Sequence, residues 1–168
     1  MTPPFSKARK FSMCALLLMG MAAATPSLAQ LTPSSSKDQV IEYVHQGIAY
    51  MQAQGIERAF AEFNNTASPF NSKSTINPVG DLYMLVYKRD GFEPVHGKNP
   101  KIQGRNVLNM RDANGVFLIQ NMINICWSKE GKGWTRYVWP HSVTLNNATK
   151  QTYVERFGDY CVGSGIYQ

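Results

Sequence analysis

Residues 131–167 read as three short β-segments separated by two turn signals, Asn146-Asn147 and Gly158-Asp159. Strands joined by tight turns can only lie side by side and antiparallel, because a parallel pairing needs a crossover of a dozen or more residues. The last quarter of the chain therefore predicts a three-stranded meander. Two of the three tryptophans and four of the eight tyrosines fall in it. Such side chains, with an apolar body and a polar tip, suit the wall of a small-molecule pocket and the interior of a packed sheet equally well. The meander alone leaves both readings open.

The other end of the chain bears on compartment. Lys7, Arg9 and Lys10 precede an apolar run over residues 11–24, and Ser27-Leu28-Ala29 places small residues ahead of Gln30. This is the layout of a secretory signal peptide, with cleavage expected after Ala29. The apolar run ends at Thr25-Pro26, short of the roughly 20 residues a spanning helix needs. The mature chain, 30–168, is expected to be periplasmic or secreted and not membrane-spanning, with a linker at 30–35 and one domain at 36–168. Loss of three of the 17 basic residues and none of the 11 acids lowers the formal charge from +6 to +3. The remaining positives are scattered, which argues against a nucleic-acid partner.

Cys126 and Cys161 remain after cleavage. In an oxidising compartment they can form one disulfide, although a buried free cysteine is also common, and the residues leave both open. Their spacing matches no metal or CxxC motif, so no metal or cofactor is expected.

Between the two ends the periodicity changes twice. Ser36 and Gln39 have capping-box spacing, and Val40, Ile41, Val44, Ile48 and Met51 recur as one helical face that stops at Gly55. Ile56, Ala59, Phe60 and Phe63 predict a second short helix. Residues 81–87 carry β-formers on both faces, Asp90-Gly91 signals a hairpin, and residues 92–96 return, with Pro94 placing that strand near an edge. After an irregular stretch, Asp112 is expected to cap a helix whose apolar face is Phe117, Leu118, Met122, Ile125 and Cys126. Helices kept apart from a run of strands predict an α+β fold with an antiparallel sheet.

This order and the residues that fill it resemble the single Cache domain, type two, a family of extracellular sensor modules. The matching segments are Asp81-Leu82-Tyr83, Asp90-Gly91, His96, Asn99-Pro100, Ile102-x-Gly104-x-Asn106 and Asp112-x-x-Gly115. They continue with Gly131-x-Gly133-Trp134-x-x-Tyr137-x-Trp139-Pro140, Lys150-x-x-Tyr153-Val154 and Gly163-Ser164-Gly165-Ile166-Tyr167. The resemblance implies a PAS-like fold, with a long N-terminal helix packed on a five-stranded antiparallel sheet and a pocket for small ligands, often short organic acids. Two departures stand out. No transmembrane or signalling segment is expected after Tyr167, and Gly97 stands where the family often has proline after the histidine.

The resemblance points to Tyr83, His96, Trp134, Tyr137, Lys150 and Tyr153 as ligand-binding residues. His96 can donate to a carboxylate, or be satisfied by its own loop. Lys150 makes sense in a pocket opposite an anion, because burying an ammonium unpaired is costly, or it is a solvated lysine at a turn. Each aromatic can equally be core. Tyr137 and Trp139 share a strand face that Trp134 does not, barring a bulge, and Trp134 is taken as the pocket tryptophan. Arg111 and Arg136 are alternative carboxylate forks, and the sequons at Asn64 and Asn147 are near chance. No nucleophile elbow, histidine pair or local carboxylate pair supports catalysis. The expected function is a sensory, small-molecule-binding protein taking a short carboxylate. The alternative is an interaction module serving a membrane-bound sensor or a redox complex without a ligand.

Overall fold

The computed structural model describes residues 34–168. The expected signal peptide and most of the linker lie outside the described residues. Helix α1 (Lys37–Gln54) begins at the capping box, in which the Ser36 hydroxyl accepts from Gln39 N–H and the Gln39 side chain accepts from Ser36 N–H. It ends at Gly55, whose φ of 80° few other residues tolerate, and α2 (Ile56–Asn64) follows directly.

Seven strands are formed among the described residues: β1 (Leu85–Lys88), β2 (Phe92–Glu93), β3 (Val95–His96), β4 (Arg105–Asn106), β5 (Lys132–Pro140), β6 (Asn147–Phe157) and β7 (Tyr160–Tyr167). Five build one antiparallel sheet in the order β3-β1-β7-β6-β5, and β2 and β4 form a separate two-stranded ribbon. The predicted meander is thus β5-β6-β7. Helix α3 (Leu118–Cys126) lies between β4 and β5 in the chain.

The single returning strand expected at 92–96 is divided at Pro94. Proline has no N–H to continue a ladder, so Phe92 and Glu93 pair with β4 while Val95 and His96 pair with β1. The strand expected from residue 81 pairs regularly only from Leu85, although Leu82, Tyr83 and Met84 are already fully buried. Gly91, at φ 87°, makes the turn between β1 and β2, and a Cβ there would sit 2.4 Å from that of Leu108.

Strand alternation sorts the sheet into two faces. On one, Val86, Tyr153 and Val162 meet α1 and α2 in a core with Val40, Tyr43, Val44, Phe63 and Phe70. On the other, Leu85, Tyr87, Tyr137, Val154 and Cys161 meet α3 through Leu118, Ile119, Met122 and Cys126. Cys126 and Cys161 are joined by a disulfide that ties α3 to β7.

Helix α3 starts later than expected, with Phe117 at its N-cap and no side-chain cap. Asp112 does not cap it. One carboxylate oxygen accepts from Asn114 N–H and Val116 N–H, each at 2.8 Å, and the other accepts from Val138 N–H at 2.8 Å. Asp112 therefore fastens the loop before α3 to β5.

Candidate functional site

On the α3 face the alternation of β6 turns Lys150 inward. The register sets it directly between Tyr137 on β5 and Tyr167 on β7. The side chain is 1% exposed, and its ammonium donates to Tyr83 Oη at 2.5 Å and lies 4.0 Å from the Tyr83 ring centroid. The hydroxyls continue the line: Tyr83 Oη is 3.4 Å from Tyr167 Oη, which donates to the Pro140 carbonyl at 2.9 Å. Because Tyr167 spends its proton on Pro140, Tyr83 is the donor between the two phenols. Tyr137 Oη pairs with Thr152 Oγ1 at 2.9 Å.

His96 reaches the same cavity from edge strand β3. Asn64, at the end of α2, holds that edge by accepting from His96 N–H at 3.2 Å and donating to the Pro94 carbonyl at 2.8 Å. Both polar atoms of Asn64 are thereby used inside the fold. His96 Nδ1 accepts from Asn99 N–H at 3.0 Å. With Nδ1 an acceptor, the proton of the neutral ring sits on Nε2. Burial, with Lys150 nearby, lowers the His96 pKa to about 3, so the ring is neutral. Its face stacks obliquely on Tyr83 with centroids 5.1 Å apart, and Trp139 lies beyond at 6.4 Å.

Glu93 completes the cavity and was not singled out from the sequence. It is fully buried, and neither carboxylate oxygen has a hydrogen-bond partner among the described residues. Burial raises its pKa to about 8, against the opposing pull of Tyr87 and Lys150. Tyr87 is close enough to exert that pull, yet makes no hydrogen bond of good geometry to the carboxylate. Burial likewise lowers the Lys150 pKa to about 7, with Glu93 acting to raise it. One signal for Glu93 was available: it is an acid beside Pro94 on a strand otherwise predicted to pack.

The cavity these groups enclose measures about 10 Å³ and is also lined by Ile102, Met110, Leu118, Ile119 and Trp139. That is room for about one water molecule. Of the six residues expected to bind ligand, the structure brings Tyr83, His96, Tyr137 and Lys150 together here. Trp134 and Tyr153 lie on the opposite face, 5.5 Å apart between ring centroids, with Lys37 of α1 over the Trp134 ring. The β5 register is regular through Trp134, with no bulge to turn it round, so Trp139 is the tryptophan at the cavity. Tyr153 is three residues from Lys150 on an unbroken strand, which by itself puts the two on opposite faces. Arg136 alternates with Tyr137 and is exposed, and Arg111 stacks on Phe117. Among the described residues no group of three or more His, Cys, Asp or Glu side chains is placed to hold a metal ion.

The Gly97 departure has a local cause. Gly97 N–H donates to the Met84 carbonyl at 2.9 Å, a bond proline cannot make. A Cβ at this position would meet Asn71 Oδ1 at 2.1 Å.

A five-stranded antiparallel sheet with α1 along one face and a polar cavity under α3 on the other is the architecture of a PAS-like sensor domain. The chain belongs to the Cache domain family, whose model matches residues 30–168. A methyl-accepting chemotaxis protein from Vibrio parahaemolyticus shares the fold at 20% identity and a TM-score of 0.63, over 78% of this chain and 87% of that one. A Cache chemosensory domain solved for its carboxylic acid recognition is 21% identical with a TM-score of 0.61, over 77% and 91%. A periplasmic sensor domain of a chemotaxis protein is 21% identical with a TM-score of 0.54, over 74% and 85%. At these identities the structural likeness speaks for the fold alone. Cache domains are extracellular or periplasmic sensory modules that bind ligands rather than catalyse reactions. No helix among the described residues is long and apolar enough to cross a membrane.

Proposed function

We propose that the protein works outside the cytoplasm, after loss of residues 1–29, as a sensory component that takes a short carboxylate into the cavity under α3. The observation that carries this reading is Lys150. A lysine 1% exposed, with one hydroxyl and two ring faces for company, makes no direct ion pair, and Glu93 on the same cavity wall is pushed by burial toward its neutral form, so the ammonium lacks the anion that would offset its desolvation. A ligand carboxylate supplies that anion. The neighbouring Tyr137 hydroxyl and the His96 Nε2–H add neutral donors, which fix orientation without adding charge. The carboxylic acid recognition described for one structural neighbour supports the same ligand class.

The size of the cavity limits the ligand. Room for about one water means that even a two- or three-carbon acid needs the irregular segment 97–117 to shift, since it contributes Ile102 and Met110 to the wall. Up to Asp112, which is fastened to β5, that segment has only the two residues of β4 in regular pairing, which makes this stretch the part of the wall with least to lose by moving.

The same small volume favours a second reading, a filled domain that serves a membrane-bound sensor by protein contact alone. Lys150 and Glu93 weigh against it. Well-packed apolar residues replace buried charges at no loss of stability, and often with a gain, so a domain that needed only its fold would not require them.

Isothermal titration against acetate, propionate and larger organic acids tests the proposal. Binding by the wild type and its loss in Lys150→Met support it. Affinity unchanged in Lys150→Met would move the site elsewhere, and a stable partner from a periplasmic extract with no acid bound would favour the second reading.

A further inference from the structure

Resting on the carboxylate reading, we propose that the stretch 97–111 is an electrostatic mouth to the cavity under α3, at which Lys101 and Arg105 draw anions in from solution. Charge is unevenly placed along this part of the chain. Residues 94–111 contain Lys98, Lys101, Arg105 and Arg111 and not one aspartate or glutamate. All four cations are exposed, and the only ion pair among the described residues is His45–Glu155, so no acid neutralises them at contact distance. The acids that bound the stretch oppose them weakly. Glu93 is pushed toward its neutral form by burial, and Asp112 has its carboxylate held by three backbone N–H groups.

The same stretch belongs to the cavity wall. Ile102 and Met110 line the cavity, Lys101 adjoins Ile102, and the β2–β4 register sets Arg105 opposite Glu93, another wall residue. The other walls are the hydrogen-bonded sheet and α3, which the disulfide ties to β7, so the way in lies at 97–111. The four cations are not equivalent there. Lys98 Nζ is drawn off to the Asn71 carbonyl, and the Arg111 guanidinium lies 3.6 Å from the Phe117 ring centroid and donates to the Gly115 carbonyl. The heads of Lys101 and Arg105 have no ion-pair partner among the described residues and stand in solvent. Like charges gathered at the rim of a low-dielectric cleft focus field lines, and such fields raise the on-rate of an oppositely charged ligand by roughly 10–1,000-fold.

Stopped-flow mixing of the purified protein with propionate, followed by the fluorescence of Trp139 at the cavity, tests this. Charges act over about 30 Å at about 10 mM ionic strength and over about 3 Å at about 1 M. Reversing both heads, Lys101→Glu with Arg105→Glu, should slow association roughly tenfold at the low salt and leave dissociation within about twofold, with the difference gone at the high salt. Lys129→Glu with Lys132→Glu makes an equal change of charge beyond the far ends of α3 and β5 from the cavity residues, and should slow association no more than about twofold. Calorimetric affinities at the two salts check the same ratios. If the rim reversal does not fold, Lys101→Gln with Arg105→Gln carries half the change and should slow association about threefold. Association unchanged by the rim variants, slowed as much by the distant pair, or slowed equally at both salts overturns this inference and leaves the carboxylate reading standing. Failure of propionate to bind the wild type in calorimetry overturns both.

Discussion

Lys150 and Glu93 are the only lysine, arginine, aspartate or glutamate side chains buried among the described residues, and they face one cavity without a direct ion pair. Burial works on them in opposite senses, lowering the lysine to about 7 and raising the glutamate to about 8. Each is pushed toward its neutral form, so either can be recharged by a group that enters the cavity. This is the physical content of the site.

Lys150→Met should weaken binding of a short carboxylate by about 2–3 kcal/mol, the worth of a charge-assisted hydrogen bond. The same variant should keep or raise the stability of the unliganded protein, because an unbranched apolar chain of similar length removes a buried ammonium. Calorimetry and thermal melts of one preparation check both halves. Lost binding with lost stability would mean that Lys150 holds the fold.

Glu93→Gln should change the pH dependence of stability in a defined direction. The folded Glu93 keeps its proton to about 8, whereas the unfolded carboxyl releases it near 4.5. Its contribution is therefore fully present below about 4.5 and is lost as pH rises through about 8. Gln does not titrate, so the variant should gain on the wild type as pH rises across that window. The unfolded His96 releases its proton near 6.5, within this window, while the folded ring is already neutral there, but the residue is present in both proteins and its effect cancels to first order. Lys150, with its folded value near 7, adds an opposite slope above that pH in both. Urea melts at about pH 5 and about pH 7 give the difference. A constant gap between the two proteins would show that Glu93 is ionised in the fold.

Reducing Cys126–Cys161, or replacing both by alanine, should cost about 4 kcal/mol, from the loop-closure entropy of a separation of 35 residues. Denaturation with and without reductant measures it. The bond anchors the C-terminal end of α3 on β7, so hydrogen exchange should rise in α3 more than in α1. Uniform exchange would contradict that anchoring.

Gly97→Ala should destabilise by about 1–3 kcal/mol, the usual cost of overpacking. Asn71 cannot simply step aside from the new methyl, because its amide donates to the Phe63 and Asn65 carbonyls at 2.6 and 2.9 Å. Gly97→Pro should cost more, since the N–H to Met84 is lost as well. Chemical denaturation of the two variants gives the order, and equal stability would mean that Asn71 moves freely.

Much of this was legible in order along the chain. The capping box at Ser36 and Gln39, the stop at Gly55 and the turns at Gly91 and Gly158 are local, set by which φ and which side-chain bond a residue permits. The meander register is nearly local too. Once Gly158 and Asp159 make a two-residue turn, Lys150 must face Tyr167, and alternation then puts Trp134 and Tyr153 on the face away from it. That parity was readable, and it conflicts with grouping all six expected residues in one pocket. Asp112 shows the limit of local signals. An aspartate a few residues before an apolar helix reads as a cap, but three backbone donors, one of them on β5, hold its carboxylate instead.

Short of β4 and the break at Pro94, the sequence by itself determined the helices, the antiparallel meander with its two faces, and the family. These depend on periodicity and turn chemistry, which act over a few residues. Only the tertiary structure decided that Cys126 meets Cys161, that His96 turns Nδ1 to its loop and Nε2–H to the cavity, and that Glu93 stands there without a partner. Burial, dielectric and hydrogen-bond satisfaction belong to the neighbourhood a side chain reaches in space. Glu93 and Lys150 are 57 positions apart in the chain, and no local pattern records that they share one cavity.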